Sequence, residues 1–356
     1  MKKFMLFAAM ASVVLTSCVN EDMEVMESAS KKAISFDMPV MKPTRAQFGE
    51  IIGTTYPGTE SFKVYCRSYT TGAYTGWDDA DDYFAAAGEV VSKSGTQWIT
   101  TPNTYYWPDL GNDLVFAAYS PADAAGTYSQ TDAGLQIDNF TTADANSQYD
   151  LMYTARVNGM NKGNTHNGID AVPLAFKHAL TSVVFSAIAA DDKATYTIKS
   201  LTVNGDLVTS GDFNQNITTA TNLDGTPEWT DKVVSTDKTY SILSGAVVAV
   251  DDSGVMLTGD GSDADVKSAL LLIPQGVDLD ATVTIVYDKT PTGGETLEST
   301  ATVKLSDFKK GGASTTEWLM GNRYVYNIIF GENMPIHFSP SIPVDWATTT
   351  LDFTIE

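Results

Sequence analysis

The sequence has little cysteine, little basic charge and no long apolar run after its first residues, and each scarcity excludes a class of protein. Cys18 and Cys66 are the only cysteines in 356 residues, so a disulfide framework cannot hold the chain together. Lys and Arg total 22 against 44 Asp and Glu, a formal charge of -22. Nucleic-acid binding depends on basic side chains that neutralise phosphates, so the composition excludes such a partner. Nothing after the N-terminal stretch approaches the roughly 20 apolar residues of a membrane-spanning helix.

The residues that are plentiful favour a folded, β-rich protein. Hydrophobic residues make up 43% and charged residues 19% of the chain, a balance that is atypical of disordered chains. Tyr (16), Phe (15) and Trp (6) are abundant, and Thr and Val recur throughout, as is typical of pleated, half-buried strands. The fold class predicted from composition is therefore all-β.

The N-terminus has the pattern of an export signal. Lys2 and Lys3 precede an apolar run from residue 4 to residue 15, and small residues follow. Residues 15–18, Leu-Thr-Ser-Cys, resemble the lipobox of bacterial lipoproteins, in which the chain is cut before the cysteine and the cysteine is acylated. We predict a lipoprotein signal and lipobox over 1–18, with Cys18 as the lipidation site. An ordinary signal peptide with an incidental cysteine is the alternative.

A short strand and a protease site follow the lipobox. Residues 20–32 are acidic and lack periodicity, as in a tether. The next stretch alternates with period two, which predicts one half-buried strand whose inward face carries Ile34, Phe36, Met38 and Val40. Arg45 comes soon afterwards among small and polar residues, where a trypsin-like protease can bind it. We therefore predict a pro-segment over 19–45 and cleavage between Arg45 and Ala46.

The remaining residues show short strands between turns, without a long amphipathic helix. The alternation around Cys66 places its thiol on an apolar face, which predicts a buried free cysteine. His178 likewise alternates with large apolar residues, which favours a packing role supported by one backbone or hydroxyl partner. After Leu180 the apolar positions change phase, as at a β-bulge or in a strand that leaves one sheet for another. Asn204 and Gly205 predict a turn that ends a strand. The pattern predicts two antiparallel sandwich domains, over 46–182 and 183–356.

The sequence contains no motif for catalysis or for a cofactor. Two acidic runs, 78–82 and 260–265, are the densest. Neither has the Gly and Glu positions of a calcium loop, so solvated loops are predicted, with a calcium site as the alternative. A nucleophile elbow, a zinc motif and a phosphate-binding Gly loop are all missing from the sequence. We predict no catalytic residues, no resident metal, no cofactor and no enzymatic activity.

Five features in order resemble the fimbrillin family of Bacteroidales, the pilins of type V pili. They are the lipobox ending at Cys18, the Arg45 site after a strand, 150–153 (Asp-Leu-Met-Tyr) before 174–180, 271–275 (Leu-Leu-Ile-Pro-Gln), and 321–327 running on to Asp345 and Trp346. The resemblance implies two transthyretin-like β-sandwich domains and a lipidated precursor at the outer membrane. It also implies cleavage after Arg45 by an arginine-specific protease and assembly into adhesive surface fimbriae. The expected partners are other fimbrial subunits, that protease and a host or bacterial surface receptor, with membrane contact only through the lipid of the precursor.

The alternating segments suggest how such subunits would polymerise. The pro-segment strand could fill an apolar groove until cleavage frees it, and a strand of another subunit could then enter, as in donor-strand complementation. The C-terminus has the same alternation, so its candidate donor residues are Leu351, Phe353 and Ile355. Alternatively, both segments are edge strands of a monomer. A second alternative is a glycan-binding surface lipoprotein that does not polymerise, with Trp77, Trp107 or Trp229 as stacking platforms.

Overall fold

The structure, a computed structural model, consists almost entirely of strands. It describes residues 32–37, 56–108, 111–145, 147–163, 171–259, 267–277, 280–310, 313–314, 316–331 and 347–351. Within these ranges the one helical element is a 3₁₀ turn at Leu305–Asp307. The predicted all-β class is confirmed, whereas the division into two tandem transthyretin-like domains stays a prediction.

The strands before residue 180 are β1 (Ser35–Asp37), β2 (Ser61–Thr70), β3 (Asp81–Asp82), β4 (Glu89–Ser94), β5 (Gln97–Thr101), β6 (Asn112–Ser120), β7 (Thr127–Thr131), β8 (Gly134–Thr141), β9 (Met152–Thr154), β10 (Val157–Met160), β11 (Ala171–Pro173) and β12 (Phe176–His178). Those after it are β13 (Thr181–Ala189), β14 (Ala194–Asn214), β15 (Glu228–Val250), β16 (Val255–Met256), β17 (Thr258–Gly259), β18 (Lys267–Ser268), β19 (Leu270–Leu272), β20 (Gln275–Gly276), β21 (Thr282–Pro291), β22 (Leu297–Lys304), β23 (Lys309–Lys310), β24 (Ala313–Ser314), β25 (Glu317–Trp318), β26 (Asn322–Phe330) and β27 (Ala347–Leu351).

The first sheet curls until its two ends come together. Its strand order is β11-β1-β5-β4-β2-β6-β9-β12, with β10 added to β6 and β3 to β2. Strands β11 and β12 stand at opposite ends of this order, yet only Leu174 and Ala175 separate them in the chain. The two ends must therefore be neighbours in space, because the three steps from Pro173 to Phe176 span at most about 11 Å. The curled sheet surrounds an aromatic-rich core that includes Phe36, Phe62, Trp98, Phe116 and Phe176.

Two further sheets form a sandwich, built mostly from the second half of the chain together with β7 and β8. One has the order β16-β13-β26-β27, with β19 also on β13, and the other has the order β22-β21-β14-β8-β7, with β15 on β14. The inward residues of both sheets share one core. In it the Phe185 and Tyr326 rings stack at 5.4 Å, and Phe308 meets Tyr326 edge-on at 4.7 Å. This arrangement of facing apolar sides is that of a β-sandwich.

The paired strands β14 and β15 connect the two halves of the chain. The first part of β14 pairs with β21, and its last part pairs with β8 from the first half. Near that end Tyr153 of the first sheet packs on Phe213, with ring centroids 5.0 Å apart. The chain leaves the first sheet for the second between β12 and β13, as the phase change at Leu180 predicts. The predicted boundary between 182 and 183 nevertheless stays a prediction, because these contacts cross it.

The turn predicted at Asn204 and Gly205 is wrong. Both residues lie inside β14, opposite Thr239 and Lys238 of β15. Neither adopts the positive φ that an Asn-Gly hairpin turn requires. The Asn204 amide instead donates a 2.7 Å hydrogen bond to Thr239 Oγ1, so pairing with a neighbouring strand overrides the local turn preference.

Candidate functional site: the slot held by the first strand

The short strand β1 lies inside the first sheet, between strands far from it in sequence. It runs parallel to β11, with Phe36 opposite Val172, and antiparallel to β5, with Phe36 opposite Trp98. Residues before it pair with the segment after β5, because the Ile34 N–H donates to the Tyr105 carbonyl at 2.8 Å. The Trp107 N–H donates to the Lys32 carbonyl at 2.9 Å. Residues 32–37 therefore fill a space bounded by neighbours on both sides, which we call the β1 slot.

Two side chains of this segment are buried in the core of the first sheet. Ile34 is 2% exposed and Phe36 is 3% exposed, as their alternation predicts. The Phe36 ring meets Phe62 and Phe116 edge-on, each at 5.9 Å, with interplanar angles of 89° and 86°. Burial of two such side chains contributes about 3–6 kcal/mol, and each edge-to-face pair adds about 0.5–1.5 kcal/mol. The segment is thus an integral part of the core.

A second anchor, Tyr56, follows the predicted cleavage site. Tyr56 is 1% exposed and packs on Phe62 at 5.8 Å and on Trp98 at 5.3 Å. Its hydroxyl donates to the Ser61 carbonyl at 2.9 Å and lies 2.6 Å from Ser120 Oγ. Burial raises the pKa of the Tyr56 hydroxyl far above its ordinary value, so it stays neutral. Phe36 and Tyr56, on either side of Arg45 in sequence, therefore both contact Phe62.

A buried carboxylate supports one wall of the slot. Glu89 is 6% exposed and accepts hydrogen bonds from Tyr105 Oη at 2.6 Å and from Asn103 Nδ2 at 3.1 Å. The Tyr105 ring packs on Phe84 at 4.2 Å. Burial raises the pKa of Tyr105, and the hydrogen bond to Glu89 raises it further. These contacts fix the backbone whose carbonyl receives the Ile34 N–H.

The C-terminal candidate strand begins in a different sheet from β1. β27 pairs in parallel with β26, from Ala347 opposite Asn322 to Leu351 opposite Tyr326. It is the last strand in the order of its sheet, hence an edge strand among the described residues. Leu351 is its final residue. The remaining predicted site residues lie outside the described residues: Cys18, Met38, Val40, Arg45, Ala46, Phe353 and Ile355.

Cys66 is a buried free thiol, as predicted. It is 3% exposed in the core of the first sheet, and burial raises the pKa of its thiol well above the ordinary value. For His178 the structure shows a carboxylate partner that the sequence did not predict, and the expected backbone or hydroxyl partner stays a prediction. His178 Nδ1 lies 2.9 Å from the carboxylate of buried Asp150, which the pairing of β9 with β12 brings near. A partner 28 residues away leaves no spacing signal in the sequence.

The three tryptophans considered as glycan platforms are core residues. Trp77, Trp107 and Trp229 are 2%, 6% and 7% exposed. Trp77 is covered by Arg67 and Arg156, whose guanidinium carbons lie 5.7 and 5.1 Å from its ring. A stacking platform needs an exposed ring face, so these residues cannot serve as one.

The described residues contain neither a candidate metal site nor a spanning helix. No group of three or more His, Cys, Asp or Glu side chains is placed to hold a metal ion within those ranges. Asp82 of the first acidic run pairs with Arg67 at 2.8 Å, and the run 260–265 lies outside the described residues. No helix in the described part of the chain is long and apolar enough to cross a membrane.

Sequence reasoning found the occupant of the slot but missed its walls. Trp98, Val172 and Tyr56 carry no motif, and the pairing of β1 with β11 joins residues more than a hundred positions apart. The one sequence feature that indicates a wall of the slot is the apolar character of Val172, which lies on the same face as Leu174 and Phe176.

Comparison with known proteins gives a consistent set of relatives. The model of a family described as fimbrillin-like matches residues 44–346. The chain is similar to the crystal structure of a fimbrial protein from Bacteroides vulgatus, at 16% identity and TM-score 0.55, over 88% of this chain and 99% of that one. Putative cell adhesion proteins from Bacteroides uniformis and Bacteroides ovatus match at 15% and 14% identity, with TM-scores of 0.48 and 0.47. Those two matches cover 88% and 89% of this chain and 98% of each of the others. No curated protein matches.

Proposed function

Because this chain belongs to the fimbrillin-like family, we propose that it is a structural or adhesive subunit of a type V cell-surface fimbria. In this proposal it is exported as a precursor lipidated at Cys18, cleaved between Arg45 and Ala46, and polymerised by donor-strand exchange. The single observation that carries the proposal is the position of β1. A segment that precedes the predicted cleavage site fills an interior place in the sheet.

Removal of β1 creates a binding site with a defined shape. β5 and β11 each lose the strand between them, and the backbone groups that paired with residues 32–37 lose their partners. The places of Ile34 and Phe36 become an apolar groove. Unpaired strand edges beside such a groove are a template for another extended chain, and its alternate side chains then determine specificity.

Cleavage is required because the covalent connection favours rebinding of the chain's own strand. Eighteen residues lie between Asp37 and Tyr56, and Tyr56 stays anchored in the core on the mature side of the cut. A connection of this length holds a dissociated β1 at an effective concentration on the order of millimolar. A strand of another subunit at micromolar concentration cannot compete with it. After the cut, a released pro-segment is diluted, and the incoming strand has the advantage.

Successive exchanges of this kind produce a filament. The groove belongs to the first sheet, and the candidate donor starts at Leu351, the last described residue of an edge strand in another sheet, so the contact joins different surfaces of identical subunits. Such a head-to-tail contact repeats without closing unless its rotation closes a ring. Leu351, Phe353 and Ile355 are the candidate donor side chains.

The remaining properties follow from export. The precursor is held at the outer membrane by the lipid on Cys18, and the mature chain becomes part of the surface fimbria. Its partners are other fimbrial subunits, an arginine-specific protease during maturation and a surface receptor if the subunit is adhesive. The proposal assigns it no enzymatic activity.

Controlled proteolysis of the full-length precursor tests this function. Treatment with an arginine-specific protease should yield an N-terminus at Ala46 and polymers that resist SDS without boiling. The Arg45→Ala variant should remain an unpolymerised precursor. The Arg45→Lys variant is the matched control, because it should polymerise after trypsin but not after the arginine-specific enzyme. Polymers formed by uncleaved Arg45→Ala protein would refute the proposal.

A further inference from the structure

The β1 slot distinguishes between positions along an incoming strand. Phe36 is held edge-on between the Phe62 and Phe116 rings, which meet it at nearly perpendicular angles. This geometry suits the positive edge and negative face of aromatic rings, and a branched aliphatic side chain cannot reproduce it. An aromatic residue is therefore favoured at this one position.

The C-terminal segment contains the same spacing as the pro-segment. The pro-segment has Ile34, Phe36 and Met38 at alternate positions, and the C-terminus has Leu351, Phe353 and Ile355. Each triplet is an aliphatic residue, a phenylalanine and a second apolar residue that is not aromatic, Met38 in one and Ile355 in the other. If the C-terminal strand bound in the slot one residue out of this alignment, polar side chains would enter the core. If it bound two residues out, an aliphatic side chain would lie between Phe62 and Phe116.

The pairing of β27 is compatible with a donor that begins at Leu351. Residues 347–350 pair with residues 322–325 of β26 in their own sheet. In the proposed exchange they keep that pairing, while Leu351, which lies opposite Tyr326 before exchange, and the residues after it enter another subunit. The donor then has to run parallel to β11 and antiparallel to β5, as β1 does.

We propose that the vacated β1 slot binds residues 351–355 of a second copy in one register, with Leu351 in the place of Ile34 and Phe353 in the place of Phe36. The inference rests on the proposed donor-strand exchange and specifies its alignment. Phe353 is then the residue that fixes the register, and Asp352 takes the place of Ser35, opposite Ala171 of the accepting subunit.

Cysteine cross-linking of the cleaved, full-length protein tests this register. Ser35 lies opposite Ala171 in the structure, so the Ser35→Cys and Ala171→Cys pair should form an intramolecular disulfide in the uncleaved precursor. This variant is the geometric control. In cleaved protein, Asp352→Cys with Ala171→Cys should give a covalent ladder on boiled, non-reducing gels. Thr350→Cys or Thr354→Cys with Ala171→Cys should give none, because those residues correspond to slips of two positions.

A second variant tests the aromatic position without cysteines. Exchange of two side chains, Leu351→Phe with Phe353→Leu, keeps composition and alternation but moves the ring by two residues, and it should abolish the SDS-resistant ladder. The matched exchange of Leu351→Ile with Ile355→Leu should polymerise like the unchanged protein.

Each remaining result contradicts a different step. A ladder through position 350 or 354, or normal polymers from the Leu351→Phe with Phe353→Leu variant, overturns the register but leaves strand exchange intact. Polymers without any cross-link overturn the C-terminal donor, and a failed Ser35–Ala171 control contradicts the docking of β1. Failure of the unchanged protein to polymerise after cleavage contradicts the proposed function itself.

Discussion

The substitution Phe36→Ala tests whether the pro-segment strand stabilises the precursor and is then missing from the polymer. Phe36 is 3% exposed and contacts two rings edge-on. Replacement of a buried Phe by Ala costs about 3–5 kcal/mol, a large share of the roughly 5–15 kcal/mol that stabilises a native domain. We expect the precursor to lose an amount in this range in urea unfolding followed by tryptophan fluorescence. The cleaved polymer should keep its unfolding transition, since it no longer contains residue 36.

The matched control is Phe308→Ala in the core of the sandwich, where Phe308 is fully buried against Tyr326. That variant should destabilise the precursor and the polymer alike. A loss below about 1 kcal/mol for the Phe36→Ala precursor would mean that β1 contributes little to the core. An equal loss in precursor and polymer would mean that the strand is never replaced. Either result refutes the argument.

Two further predictions follow. Deletion of residues 351–356 should abolish polymerisation but leave the melting temperature of the precursor almost unchanged, because Leu351 is the only described β27 residue that it removes and the proposal places the rest in another subunit. Deletion of 347–356 should also lower that temperature. Calorimetry and gel laddering distinguish the two, and a large drop in melting temperature with the shorter deletion would mean that the deleted residues belong to the core of their own subunit. Burial raises the pKa of the Cys66 thiol. Native precursor should therefore resist thiol alkylation at pH 8 and should react fully in urea, as measured by mass spectrometry. Rapid alkylation of the native protein would contradict that burial.

The features predicted from sequence are those set by local periodicity. Alternation at Ile34 and Phe36 predicts which side chains face inward, and their burial confirms it. The same reasoning predicts the buried thiol of Cys66. A period of two depends on strand geometry alone, so it is visible without knowledge of any partner strand.

The features that could not be predicted depend on distant parts of the chain. Asn204 and Gly205 carry a turn signal, but both pair with β15, and Asn204 also pairs with β21, so they stay in an extended strand. Trp77 has an ordinary surface-loop context in sequence, and only the fold brings Arg67 and Arg156 over its ring. The walls of the β1 slot could not be predicted for the same reason, because β5 and β11 are distant in sequence and flank the same strand only in the folded sheet.

The most direct test of the central claim is mass spectrometry of polymers taken from the cell surface. The account predicts a mature N-terminus at Ala46 and no peptide containing residues 32–37, since another subunit's strand has replaced them. Polymers whose subunits begin at an acylated Cys18 and retain Ile34 and Phe36 would contradict it.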